Sequence, residues 1–146
     1  NQHQAIYRQY GQVVADPADF EGSQGPLAGL LAAAPYLQTP RLVVAGCDMP
    51  ALPDDYVTRL YGALTAQGGQ IAFAHAGARD HSICLLLHAS ALDTLRGYLN
   101  SGRRAVLPWL EAQHALRVVF DDADAFLNVN TPEDLVRACN IVPALP

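Results

Sequence analysis

The stretch Arg41-Leu42-Val43-Val44-Ala45-Gly46-Cys47-Asp48-Met49-Pro50 decides the fold. After Arg41 it is apolar without alternation, the pattern of a strand covered on both faces, as parallel strands flanked by helices are. The strand stops at Asp48-Met49-Pro50, where proline cannot continue the pairing. Upstream, Gln12–Ala15 reads as a short strand ending at Asp16, and 17–24 as a loop. Gly25-Pro26 then opens an Ala/Leu helix, with Pro26 suited to its first turn. Downstream, Val57, Leu60, Tyr61 and Leu64 recur at the helical period, in a helix running from about Asp54 to Gly68-Gly69. Asp54 and Asp55 fall in its first turn, where the dipole favours anions. Ile71–Ala74 reads as a strand, followed by a turn at Gly77 and a second run over Ser82–Leu87. Ser90 reads as the cap of a helix that buries Leu92, Leu95 and Leu99 and ends at Gly102. A short helix over Arg104–Glu111, a strand over Leu116–Phe120 and a helix starting at Thr131-Pro132-Glu133-Asp134 complete the chain. The tail, 141–146, reads as frayed. The alternation of strands and helices predicts an α/β domain with a mostly parallel sheet, in which ligands bind outside the carboxyl ends of the strands.

The composition narrows the function. The chain has 146 residues, 51% hydrophobic and 16% charged, enough apolar content for one domain with a real core. Its formal charge is -5, and every one of its 9 basic Lys/Arg residues is arginine. That balance argues against a partner such as DNA or RNA, whose phosphates call for a basic stripe. It leaves a single nucleotide open, because a divalent cation can bridge phosphate and carboxylate. No apolar run approaches the ~18 residues that mark a membrane span, and the polar start does not read as a secretory signal, so a cytoplasmic location is expected. Cys47, Cys84 and Cys139 are odd in number and widely spaced, which implies neither a zinc site nor a disulfide framework.

Several residues are candidates for chemistry. Asp48, just past an apolar strand, has the placement of a carboxylate that holds a hard cation against substrate phosphates; the alternative is a loop-capping aspartate. Asp16 shares that placement, with a turn-forming role as its alternative. Gly22–Pro26 before a helix can offer backbone N–H groups to an anion, although it lacks the P-loop lysine and is equally a plain loop. Asn128 and Asn130 alternate on an extended segment and so point the same way; they suit a heteroaromatic ligand or a metal shell, unless Asn130 only helps cap the last helix. Arg103-Arg104 can clamp a phosphate bidentately or be a solvated pair. Asp80-His81 can be polar at a pocket wall, with surface or structural roles as the alternative.

Taken together and in order, GPLAG, the strand into CDMPALP, GRRAV and FLNVNTPEDL resemble the molybdenum cofactor guanylyltransferase (MobA) family. The resemblance spans Asn1 to about Val136. It implies a Rossmann-like nucleotidyltransferase sheet, mostly parallel, in a three-layer α/β/α arrangement, with 1–146 as a single domain. It also implies transfer of GMP from GTP to molybdopterin carrying molybdenum, with Mg²⁺ required and pyrophosphate released. By motif, Asp16 resembles the guanine-nucleotide-contacting aspartate and Asp48 the magnesium-binding aspartate, which also lies against the nucleotide. Asn128 and Asn130 resemble pterin-side asparagines, and Arg104 an arginine of the molybdopterin-binding area. Molybdoenzyme maturation proteins are the implied partners. The family pattern begins with a strand and a glycine-rich loop carrying a lysine, which has no counterpart here. The resemblance thus implies that roughly 50 residues, a first βα unit with its long loop, are missing, and that the chain alone does not catalyse transfer. A cytidylyltransferase acting on the same pterin, another nucleotidyltransferase, or a non-catalytic pterin-binding module are the alternatives.

Overall fold

The structure, a computed structural model, describes residues 4–20 and 25–142. The chain runs through a one-turn helix α1 (Gln4–Tyr7), α2 (Pro26–Ala33), β1 (Arg41–Val44), α3 (Tyr56–Gln67), β2 (Ile71–Ala76), β3 (Arg79–His88), α4 (Asp93–Asn100), α5 (Val106–Ala112), β4 (Leu116–Phe120) and α6 (Pro132–Ile141). The strands form a 4-stranded sheet in the order β1-β3-β2-β4. β2 and β4 pair parallel, whereas β3 pairs antiparallel to both β1 and β2. The sheet is therefore mixed: β1, β2 and β4 run one way, as a mostly parallel sheet requires, and β3 runs against them. The cause is the tight turn at Gly77-Ala78, since strands joined by so short a link can only pair antiparallel. Gly77 takes φ 59, a left-handed conformation that suits glycine.

Both faces of the central strands β2 and β3 are covered, which makes the three layers, while Val43 on the edge strand β1 and Val119 on β4 stay exposed. Ile71, Phe73, Leu85 and Leu87 face one cluster, built with Leu27 and Leu31 of α2, Leu95 and Leu99 of α4, and Trp109 of α5. Ala72, Ala74, Ala76, Cys84 and Leu86 face the other, built with α3 and with Phe120 and Phe126. Small residues on that face let α3 approach closely. The inward stripe of α3 is Tyr56, Leu60 and Leu64, while Val57 and Tyr61 are exposed. The stripe thus lies one position away from the expected Val57/Tyr61 edge, because the Tyr56 hydroxyl donates to the Val44 carbonyl at 2.7 Å and draws that side of the helix onto β1.

Other expectations shift. Gln12–Ala15 is irregular backbone rather than a strand, so Asp16 does not end one. β2 and β3 are longer than expected and carry a register break: Phe73 faces Leu85, but Ala74 faces His81. This bulge re-aims the side chains of the hairpin's outer half. α3 begins at Tyr56, so Asp54 and Asp55 precede its first turn, and Gly68, at φ 69, closes it as expected. Ser90 does not cap a helix; its backbone N–H donates to the His88 ring, which caps a 3-10 turn leading into α4. The short helix starts at Val106 and leaves Arg104 outside it. Thr131 caps α6 in a full capping box with Asp134, as the sequence implies. The Gly22–Gln24 part of the anion-loop candidate and the tail 143–146 lie outside the described residues. Among the described residues, no helix is long and apolar enough to cross a membrane.

Candidate functional site

The site begins where β1 ends. The chain leaves Val44 into a turn that Met49 N–H closes onto the Gly46 carbonyl at 3.3 Å, with Asp48 inside it. The Asp48 carboxylate folds back over Gly46, so that a Cβ at Gly46 would stand 2.5 Å from Asp48 Oδ1. A side chain at Gly46 would push that carboxylate aside, so the glycine leaves it room by close approach, not by backbone angle. The other carboxylate oxygen accepts from Asn128 Nδ2 at 3.2 Å, and the Asp48 carbonyl accepts from Val129 N–H at 2.8 Å. The end of β1 and the segment leading into α6 are thus tied together, 80 residues apart in sequence. Beneath the turn, the buried Cys84 thiol lies 3.1 Å from Met49 Sδ. Burial pushes the Cys84 thiol up to about 11, so it is a neutral packing group and no nucleophile.

Beside this junction opens a cavity of about 700 Å³, within the range of small-molecule sites. Met49, Arg79–Ile83 of the β2–β3 hairpin, Phe126, Asn128 and Asn130 are among the residues that line it. His81 stacks on Phe126 with ring centroids 4.7 Å apart and planes inclined by 29°. Burial, and then the neighbouring Arg79 and His75 side chains, hold the His81 imidazole below its usual value, so the neutral ring is favoured. The hairpin is braced from the other face of the sheet. Asp80 accepts from both Arg117 Nε and Nη2 at 2.8 Å and contacts His75 Nδ1 at 2.7 Å. The Arg117 guanidinium, foremost, and the His75 contact hold the Asp80 carboxyl below the usual carboxylate range. Asp134, which also lines the cavity, accepts from the Asn130 and Thr131 N–H groups at 3.2 and 3.1 Å, which lowers its own carboxyl. Asn130 therefore helps hold the helix start through its backbone and lines the cavity as well.

The structure brings Asp48 and Asn128 into contact and sets Asn130 on the same cavity. Asp16, half-buried in the irregular segment 12–17, is not among the residues that line the cavity. Arg104 donates to the Leu99 carbonyl at 2.6 Å and the Arg103 carbonyl at 2.8 Å and stands over the Phe20 ring, so it closes the end of α4 rather than lining the cavity. Arg103 is likewise engaged, over the Tyr98 ring and on Ser101. Sequence reasoning ranked Asp80-His81 low, yet both line the cavity; Phe126 was missed, although its place two residues before Asn128 was a usable signal.

Among the described residues, no group of three or more His, Cys, Asp or Glu gathers to hold a metal ion. A single carboxylate still suits Mg²⁺, which keeps several waters and is held by one or two carboxylates together with substrate phosphates. The donor set fits a metal that arrives with a nucleotide, not a resident one.

A three-layer α/β domain with a carboxylate turn at the end of β1, beside a cavity of substrate size, defines a nucleotidyltransferase-type domain. Its fold matches the crystal structure of molybdopterin-guanine dinucleotide biosynthesis protein A from Archaeoglobus fulgidus, with a TM-score of 0.73, 26% identity, and coverage of 97% of this chain and 74% of that one. It also matches 2-C-methyl-D-erythritol 4-phosphate cytidylyltransferase from Thermus thermophilus, with a TM-score of 0.60 and 14% identity over 88% of this chain and 77% of that one, a likeness of fold alone. Among curated proteins, the molybdenum cofactor guanylyltransferase of Shewanella loihica is 36% identical over 134 residues, covering 91% of this chain and 68% of that protein. That of Shewanella amazonensis is 37% identical over 137 residues, covering 92% and 69%. Residues 1–117 match the profile of the MobA-like NTP transferase domain, and the chain belongs to that family.

Proposed function

We propose that the protein transfers GMP from GTP to a phosphate of molybdopterin carrying molybdenum, in the manner of the guanylyltransferases it is similar to. The observation that carries this reading is the contact of Asp48 with Asn128, which itself lines the cavity: a charged group suited to phosphates and metal meets an amide suited to a heterocycle. A phosphate oxygen of the acceptor attacks the α-phosphorus of GTP. The bond from that phosphorus to the bridging oxygen breaks, and pyrophosphate leaves with the electron pair. The chain forms no covalent intermediate, so its work is positioning and charge neutralisation. Asp48 would hold Mg²⁺ against the nucleotide; that ion, when bound, offsets phosphate charge. By motif, Asp16 is assigned to the nucleotide side and Asn128 and Asn130 to the pterin side; Arg104 resembles an arginine of the molybdopterin-binding area, although it does not line this cavity. The buried, neutral Cys84 takes no part. Molybdoenzyme maturation proteins fit as recipients of the product, and a cytoplasmic location fits a GTP-consuming step.

The test is direct. The product of the whole reading frame is incubated with GTP, MgCl₂ and the molybdenum-loaded pterin, and the guanine dinucleotide and pyrophosphate are quantified. Equimolar formation of the two supports the reading. Dinucleotide from CTP but not GTP, or ligand binding with no turnover, overturns it.

A further inference from the structure

The cavity that Asn128 and Asn130 line also carries a surface suited to a flat ring. The register break between Phe73 and Ala74 sets His81 across from Ala74, on the face where Phe126 packs. One face of the imidazole is covered by Phe126, so its other face and its edge are what it presents to the cavity. Asp80, clamped by Arg117 and His75, fixes the backbone just before it. The ring is thus backed, braced and only partly buried, an arrangement that lowers the entropy lost when a ligand stacks on it. Asn128, whose Nδ2 already donates to Asp48, and Asn130 line the same cavity, and their amides can offer further donors and acceptors to a ring edge.

We infer that His81, backed by Phe126, is the stacking wall that positions the 2-amino-4-oxopyrimidine ring of the pterin acceptor, whose edge is read by Asn128 and Asn130. The inference rests on the guanylyl-transfer reading for the identity of the acceptor. Guanine carries the same ring edge, so the chemistry alone admits either. The cavity favours the pterin: among the described residues it is lined by Met49 and later residues and not by Asp16, which that reading sets on the nucleotide side. Favouring the neutral imidazole also suits stacking on an uncharged heterocycle.

The experiment measures binding of a fluorescent 6-substituted pterin bearing a phosphate monoester, and of GTP with Mg²⁺, to wild type, His81→Ala and His81→Phe, beside kcat and KM for the acceptor. His81→Ala is expected to weaken the pterin probe about tenfold or more and to raise acceptor KM more than it lowers kcat, with GTP affinity unchanged. His81→Phe, which keeps a ring on Phe126, is expected to stay within about threefold of wild type for the probe. Unchanged probe affinity in His81→Ala overturns the inference. So does loss of GTP affinity matching or exceeding loss of the probe, which would assign the wall to guanine. If His81→Ala does not fold, failure of His81→Phe to bind the probe is the overturning result. His81-dependent probe binding without guanylyl transfer would sink the functional reading and leave the ring wall standing.

Discussion

Gly46→Ala separates the position of the Asp48 carboxylate from the stability of the fold. Gly46 is not among the glycines with positive φ, so alanine strains no backbone angle there. Its Cβ would stand 2.5 Å from Asp48 Oδ1, where ordinary contact begins at 3.4 Å. The carboxylate, at the free end of a rotatable side chain, must move by roughly 1 Å, and a shift of that size at a reacting centre costs on the order of 10²-fold in rate. The fold loses little, because the atom that yields is a side-chain end and alanine restricts the unfolded chain. A change within about 1 kcal/mol, or ~2–5 °C in Tm, is expected. The assay pairs thermal melting with initial rates of GMP transfer at saturating GTP and MgCl₂. A variant that melts like wild type and turns over within about threefold of it would refute the reasoning, since the carboxylate would then not need its observed place.

Asn128→Ala removes the amide that meets Asp48, and together with Asn130→Ala should weaken the acceptor by more than it weakens GTP; titrations of both ligands decide, and equal loss with a lowered Tm would favour a helix-capping role. Tyr56→Phe keeps the ring and deletes the hydroxyl that donates to Val44 at 2.7 Å; the stranded carbonyl should cost about 1–2 kcal/mol by urea unfolding. Thr131→Ala removes the α6 cap and should cost about 1 kcal/mol in the same assay. Asp80→Asn tests the Arg117 and His75 clamp by its pH dependence. A carboxyl lowered in the folded state stabilises above its unfolded pKa, near 4, and loses that contribution as pH falls through the folded value. The Tm gap between wild type and Asp80→Asn should therefore be steady from pH 7 to 5, shrink below about 4 and vanish at lower pH; a gap independent of pH would refute the clamp.

The helices and β1 were legible because each carries its own local signal. Thr131-Pro132-Glu133-Asp134 spells a capping box, Gly68 ends α3, and the apolar run at 42–45 marks a strand, although β1 is an edge strand with Val43 exposed and is not covered on both faces as expected. The direction of β3 was written in the tight Gly77-Ala78 turn, but strand and helix alternation outweighed it. The register break was not legible, because Ala74-His75-Ala76 reads equally well in either register. It is this break that sets His81 on the cavity side. Gln12–Ala15 failed as a strand because a short apolar run has no pairing of its own; partners decide it. Asp48 and the asparagines were found from position and motif, whereas their contact is a tertiary fact that no spacing encodes.

The most direct test of the central claim is the rate of GMP transfer by Asp48→Ala against wild type at saturating GTP, acceptor and MgCl₂, with Tm measured on the same samples. The account expects a loss of at least about 10²-fold with Tm changed by no more than a few degrees, since Asp48 lies at a half-exposed turn and leaves no core cavity. Near-wild-type turnover by a folded Asp48→Ala protein would contradict it.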